Sequence, residues 1–334
     1  MGNVAISSHR GRSHTQAAAI FRGLLLVALW AGVCASQELQ HLRTVPPPDG
    51  FDGHLAYDAA SKRLWLISYG PPANRSGASK VMEVDLRSGR MLAEAELPLL
   101  GAFAPPVVVG GYLYQPVNFE SRIYKIAVAD RARLGRVEST IPVPLVSELR
   151  PGGSEPGAEP LKFPWLEVSG MAVAPDGNLL LHAADLGELV TLDRESGRMV
   201  KRLRTMKGLG GIASVVAPGG RFYILANLDL DDAAARDKAR RFDLRAPEEV
   251  PWKRSKVTLF SHRHDRKTLT WILLDGESGE PLASVEDDPS PAYASATAIA
   301  DFQPAREGYG SFTFLAMGPA GVLTMRWSPD SGAK

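Results

Sequence analysis

Between residues 167 and 204 short apolar runs alternate with polar turns at intervals too short for helices. Residues 170–174, 178–183, 188–192 and 199–203 each read as a strand, separated by Pro175-Asp176-Gly177, a short loop and Ser196-Gly197. Four strands in 38 residues, joined by Gly, Asp and Ser, form the pattern of one antiparallel β-propeller blade. The pattern recurs. A first blade takes 54–57, 64–68, 80–84 and 91–96, and a second takes 106–109, 112–115, 122–128 and 137–142. A fourth opens with 212–216 and 222–226, takes its third strand from 257–262 or 269–274, and ends at 282–285. The fifth has only three strands, at 296–300, 311–316 and 322–327.

The repeat is sharpest in one turn. Asp85-Leu86-Arg87-Ser88-Gly89, Asp193-Arg194-Glu195-Ser196-Gly197 and Asp275-Gly276-Glu277-Ser278-Gly279 share the form D-x-x-S-G, each after an apolar strand. Aspartate at the turn start bonds the backbone ahead of it, and glycine takes the positive φ that closes the hairpin. These aspartates are therefore expected as turn formers, not metal ligands. An unassigned strand at 37–45, stopped by Pro46-Pro47-Pro48, supplies the missing fourth strand of the last blade. The expectation is an all-β chain, a single β-propeller of four-stranded antiparallel blades over 37–330, its ring closed by the N-terminal strand. Five blades are visible, with six allowed. Residues 146–164, rich in Pro, Gly and Glu, read as a loop because the blade pattern resumes after them.

The N-terminus departs from this grammar. Residues 1–22 contain Arg10, Arg12 and Arg22 and no acid, residues 23–33 are uninterruptedly apolar, and Val33-Cys34-Ala35 follows. That order predicts a secretory signal peptide over 1–35 and a secreted or periplasmic protein. The apolar run is too short for a stable membrane span, which needs about 20 residues. Cys34 is the single cysteine, so the mature domain is expected to hold by its apolar core without disulfides. A formal charge of +1 gives no field for nucleic acid. Asn74-Arg75-Ser76 is a glycosylation sequon.

The phrases GHLAYDAASKRLWLIS, SGMAVAPDGNLLLHA and GIASVVAPGGRFYILA resemble the strand pairs of NHL-type and gluconolactonase-type six-bladed propellers, and of propellers with esterase-like or phytase-like activity. The stretch from SKVMEVDLRSGRMLAEAELP to GGYLYQPVNFESRIYKI is similar to the first half of the five-bladed plant-type glutamine cyclotransferases. The gluconolactonase-type resemblance implies a divalent metal, Ca²⁺ or a similar cation, held by hard oxygen ligands to activate water or polarise a carbonyl. Glu167 and Asp185 are the acids placed for it, whereas Asp52-Gly53 and Gly210-Gly211 depart from the family pattern. The cyclotransferase resemblance implies an acid for the substrate amine, but Ala102-Phe103-Ala104-Pro105 stands there.

In a propeller the connections between blades, and those between second and third strands, open on one face. Asp52, His54, Tyr69, Asn118, Glu167, Ser169, Asp185 and Asn227 fall there and form the expected ligand-binding set, with Asp52, His54 and Glu167 as catalytic candidates. The insert 228–256 joins them, and its basic run from Arg236 to Lys256 reads first as a solvated surface excursion, with a lid or a docking arm for an acidic partner as the alternatives. His262-Arg263-His264-Asp265 could place two imidazoles on one side of a strand, but Arg263, Arg266 and Lys267 oppose a cation. Asn227-Leu228-Asp229-Leu230-Asp231-Asp232 begins like a calcium loop but lacks its glycine and its closing glutamate. The function expected is an exported module that binds a small molecule or protein through its loop-bearing face. The alternatives are a metal-dependent lactone or ester hydrolase and a glutaminyl-peptide cyclotransferase-like enzyme.

Overall fold

Among the described residues, twenty strands pair into five separate four-stranded antiparallel sheets. The computed structural model describes residues 39–48, 51, 53–68, 79–99, 104–145, 166–184, 186–206, 209–229, 269–287, 295–306, 308–318 and 320–329. The first sheet contains β2 (Gly53–Asp58), β3 (Arg63–Ser68), β4 (Ser79–Val84) and β5 (Met91–Leu97), and the second β6 (Val107–Val109), β7 (Tyr112–Val117), β8 (Arg122–Ala127) and β9 (Val137–Pro142). The third contains β10 (Val168–Val173), β11 (Leu179–Ala183), β12 (Glu188–Leu192) and β13 (Met199–Arg204). Next come β14 (Leu209–Val216), β15 (Phe222–Asp229), β16 (Leu269–Asp275) and β17 (Pro281–Asp287). The last sheet joins β18 (Ser295–Gln303), β19 (Ser311–Gly318) and β20 (Gly321–Trp327) to β1 (Leu39–Val45).

Thus β1 is the fourth strand of the fifth blade, paired antiparallel to β20 from Leu39 opposite Trp327 to Val45 opposite Val322. The first strand of the chain closes on the last, as expected from the unassigned apolar run. Contacts between the inner strands run β2–β6–β10–β14–β18 and back to β2, so the five blades form a closed ring.

The second strand of each blade is apolar at consecutive positions because both of its faces are buried. In β3, Leu64 and Leu66 pack towards the fifth blade while Trp65 and Ile67 pack towards the second. In β15, Phe222, Ile224 and Ala226 face the third blade and Tyr223 and Leu225 the fifth. The core is therefore five separate layers, one in each gap between neighbouring blades. Closure buries all five.

The D-x-x-S-G turns form as read. Asp85 Oδ1 accepts from the amides of Arg87 and Ser88 and from Ser88 Oγ, and Asp193 and Asp275 repeat all three bonds. Each closing glycine has φ between 73° and 75°. The structure adds their tertiary role. A Cβ on Gly279 would stand 2.3 Å from the Arg204 carbonyl, one on Gly197 2.7 Å from the Ile141 side chain, and one on Gly89 2.9 Å from the Pro46 carbonyl. Each turn is thus wedged against the end of the preceding blade's outer strand. The second blade uses a longer connection, in which Asp130 caps a short 3₁₀ turn and a Cβ on Gly135 would stand 2.7 Å from the Ala95 side chain of the first blade. Lys201 to Glu277 (2.7 Å) and Lys125 to Glu195 (2.9 Å) bridge the same gaps.

One boundary differs from expectation. Asn227, Leu228 and Asp229 pair with Trp271, Thr270 and Leu269, so the hairpin ladder continues past the expected start of the insert. The connection is 230–268, not 228–256. The third strand is β16, while the other choice, 257–262, lies outside the described residues, as does the run at 262–265.

Candidate functional site

The two ends of the strands are connected differently. First-to-second and third-to-fourth strand connections are at most nine residues long, the longest being 128–136. At the other end, 39 residues separate β15 from β16, 25 separate β9 from β10, and ten separate β3 from β4. The described candidates, His54, Asn118, Glu167, Ser169 and Asn227, belong to this second end. Asp52, Tyr69 and Asp185 lie outside the described residues, so the Glu167–Asp185 pair is described in only one member. The remaining candidates have definite places.

Asn118 opens a 3₁₀ turn after β7 and uses its amide as a clamp. Its Nδ2 donates to the Val168 carbonyl at 2.9 Å, and its Oδ1 accepts from the Val168 amide at 3.1 Å. This satisfies a strand-start backbone that would otherwise lose both bonds on burial. Glu167 and Ser169 flank that clamped residue, and both are half-buried. The Glu167 carbonyl accepts from the Ala184 amide at 2.9 Å. Leu166 donates to Pro144 at 3.2 Å, drawing together the two ends of the 25-residue connection.

Asn227 is buried in β15 and lies flat against Gly210, where a Cβ would stand 2.5 Å from its Oδ1. His54 is buried in β2 opposite Ile67, next to Gly53, where a Cβ would fall 1.8 Å from the Ile67 carbonyl. The structure therefore brings Asn118, Glu167 and Ser169 together through Val168, and sets His54 and Asn227 on other blades. Among the described residues, no three His, Cys, Asp or Glu side chains converge to hold a metal ion.

Two residues absent from the expected set complete this end. Gln115 in β7 and His182 in β11 are fully buried and share a register position, each three residues after the residue paired with the end of its inner strand (Tyr112 with Val109, Leu179 with Val173). Gln115 Nε2 donates to the carbonyls of Ala104 (2.9 Å) and Pro116 (3.0 Å). His182 Nε2 lies 2.8 Å from the Met206 carbonyl, and its Nδ1 lies 2.6 Å from Ser169 Oγ. A carbonyl only accepts, so Nε2 carries a proton, and in the neutral ring Nδ1 is then the acceptor for the Ser169 hydroxyl, which also lies 3.5 Å from the His182 carbonyl. Their signal in the sequence was a lone polar residue within each apolar second strand, LLLHA and YLYQPV.

No known family model matches the sequence, and no curated protein matches it either. Among solved structures the chain is similar to the glutaminyl cyclase of Myxococcus xanthus, with 12% identity over 87% of this chain and 96% of that one, at a TM-score of 0.48. It is also similar to BamB from Moraxella catarrhalis, with 15% identity over 88% and 99% of the two chains, at a TM-score of 0.36. No residue of this chain takes a role from either likeness. The propeller rests on its own five sheets.

Proposed function

We propose that this chain is an exported binding module that captures a small molecule or protein on the face where its long connections open. The observation that carries this reading is the asymmetry of the two ends. Every connection at one end is a short turn, and the segments of 39 and 25 residues both leave from the other. Rigid strands that present long connections of free composition are the usual basis of a binding face. The described polar residues at their feet support the same reading. Asn118 and Gln115 spend their hydrogen bonds on backbone groups, which stiffens the platform without committing it to a reaction.

The test compares the full chain with one in which 231–267 is replaced by a short Gly-Asn turn. Thermal unfolding is followed with panels of sugars, lactones and peptides. A ligand at 100 times its dissociation constant adds about 2.7 kcal/mol to the folded state. The expected result is a raised melting point in the full chain that disappears in the shortened one. Equal shifts in both would move the binding face elsewhere. A shift with Ca²⁺ that EDTA and Glu167→Gln abolish would replace this reading with the metal-dependent hydrolase.

A further inference from the structure

Ser169 and His182 stand apart from the other polar residues at this end. Asn118 and Gln115 end on backbone groups, whereas His182 turns one ring nitrogen to a carbonyl and the other to a half-buried hydroxyl. A nucleophile, a base within hydrogen-bond reach and a third group that orients the base are the parts an activated serine requires. We propose that Ser169 is a nucleophile for acyl transfer from small carboxylic esters or lactones, with His182 as its general base and the Met206 carbonyl holding the ring. The proposal does not depend on what the long connections bind.

Local geometry fixes each part. The β10 ladder shifts register between Val168 and Gly170, so Ser169 occupies a bulge, a device that re-aims a side chain out of regular pairing. The bulge is held on both sides. Asn118 clamps Val168 from the second blade. On the other side Gly170 lies against the inner strand of the fourth blade, where a Cβ would come within 2.7 Å of the Ile212 nitrogen and 2.9 Å of the Gly210 carbonyl. His182 is fully buried, so its ring is confined by packing as well as by Met206. Ser169 is only half-buried, at the end where ligands would arrive.

The step balances within these groups. Ser169 Oγ forms a bond to the acyl carbon while its proton passes to His182 Nδ1. The tetrahedral adduct then expels the alkoxide, which takes that proton from Nδ1 and leaves as the alcohol. Water attacks the acyl-serine, gives a proton to Nδ1, and releases the acid as Ser169 recovers its hydrogen. No other co-reactant is needed.

Diisopropyl fluorophosphate tests the pair directly, because its phosphorus takes the serine oxygen as fluoride leaves and the adduct persists. The full chain should gain one diisopropylphosphoryl group, mapped to Ser169 by peptide mass spectrometry. Ser169→Ala should gain none. His182→Gln should lower the labelling rate by about 100-fold or more, the range of a lost general base. Glutamine already occupies the matching position in the second blade as Gln115, so that variant should keep the fold, which its melting point checks. As a second reading, Ser169→Cys should be alkylated by iodoacetamide at that position several-fold faster with His182 than with His182→Gln. No label on Ser169 in the folded chain, or labelling and alkylation rates indifferent to His182→Gln, would overturn the proposal.

Discussion

The two ends of this propeller solve the same problem, turning a chain around between strands, in opposite ways. At the short-turn end the solution repeats. Aspartate, serine and glycine form one turn three times over, and the glycine wedges against the preceding blade. Among the described residues at the other end, what recurs is the need to satisfy backbone at the blade starts. That need is met by Asn118 in one gap, by Gln115 in another and by His182 in a third. One end thus carries what makes the chain a propeller. The other carries what makes it this propeller.

The largest effect should come from breaking closure itself. A chain beginning after Val45 loses β1 and bares the outer edge of β20. Its loss should exceed the 3–5 kcal/mol typical of a large core truncation, with thermal unfolding no longer cooperative. Next is a substitution that tests the wedge. Gly279→Ala meets both a positive φ and the Arg204 carbonyl at 2.3 Å, and should cost about 3 kcal/mol in chemical denaturation. Asn118→Ala leaves both polar groups of Val168 without their amide partner and should cost about 2 kcal/mol, which would show that a foot of the long connections also serves the fold. Gly219→Ala is the control for the wedge. Its φ is 86°, but nothing lies within 4 Å of the added Cβ, so only the backbone cost of about 1 kcal/mol remains.

The smallest effect is electrostatic. Hydrogen bonds from the Ser88 amide and hydroxyl hold Asp85 below its ordinary pKa, and those from the Ser196 hydroxyl and amide do the same for Asp193. Burial pushes Glu83 upward, but Arg63 and Arg131 outweigh it and leave that carboxylate lowered as well. A carboxylate lowered by folding stabilises the folded state above its unfolded pKa, about 4, and loses that contribution as pH falls through the folded value. Unfolding midpoints should therefore be flat at neutral pH and decline below pH ~4. Glu83→Gln should make that decline shallower.

The ease of reading the sequence followed the same division. The three D-x-x-S-G turns could be read from residue types alone, because their hydrogen bonds lie within four residues. The closing strand could be read because 37–45 had no blade of its own. The end of β15 was misplaced by three residues, because Asn227 and Asp229 look like loop residues and only pairing with Trp271 and Leu269 makes them strand. At the candidate site, Ser169 and Asn118 were singled out by position, but their partners were not. Val168 lies 50 residues from Asn118, and Met206 lies 24 residues from His182, distances at which no local pattern reports a contact. A lone histidine within an apolar strand was the available sign.

The five blades are expected to hold together without residues 231–267. Thermal unfolding of the chain with 231–267 replaced by a short turn tests this most directly. One cooperative transition within a few degrees of the full chain is expected, since β15 and β16 are already paired from Tyr223 with Asp275 to Asp229 with Leu269. A broad transition, or a midpoint lowered by more than about 10 °C, would mean that 231–267 helps hold the blades together and would contradict it.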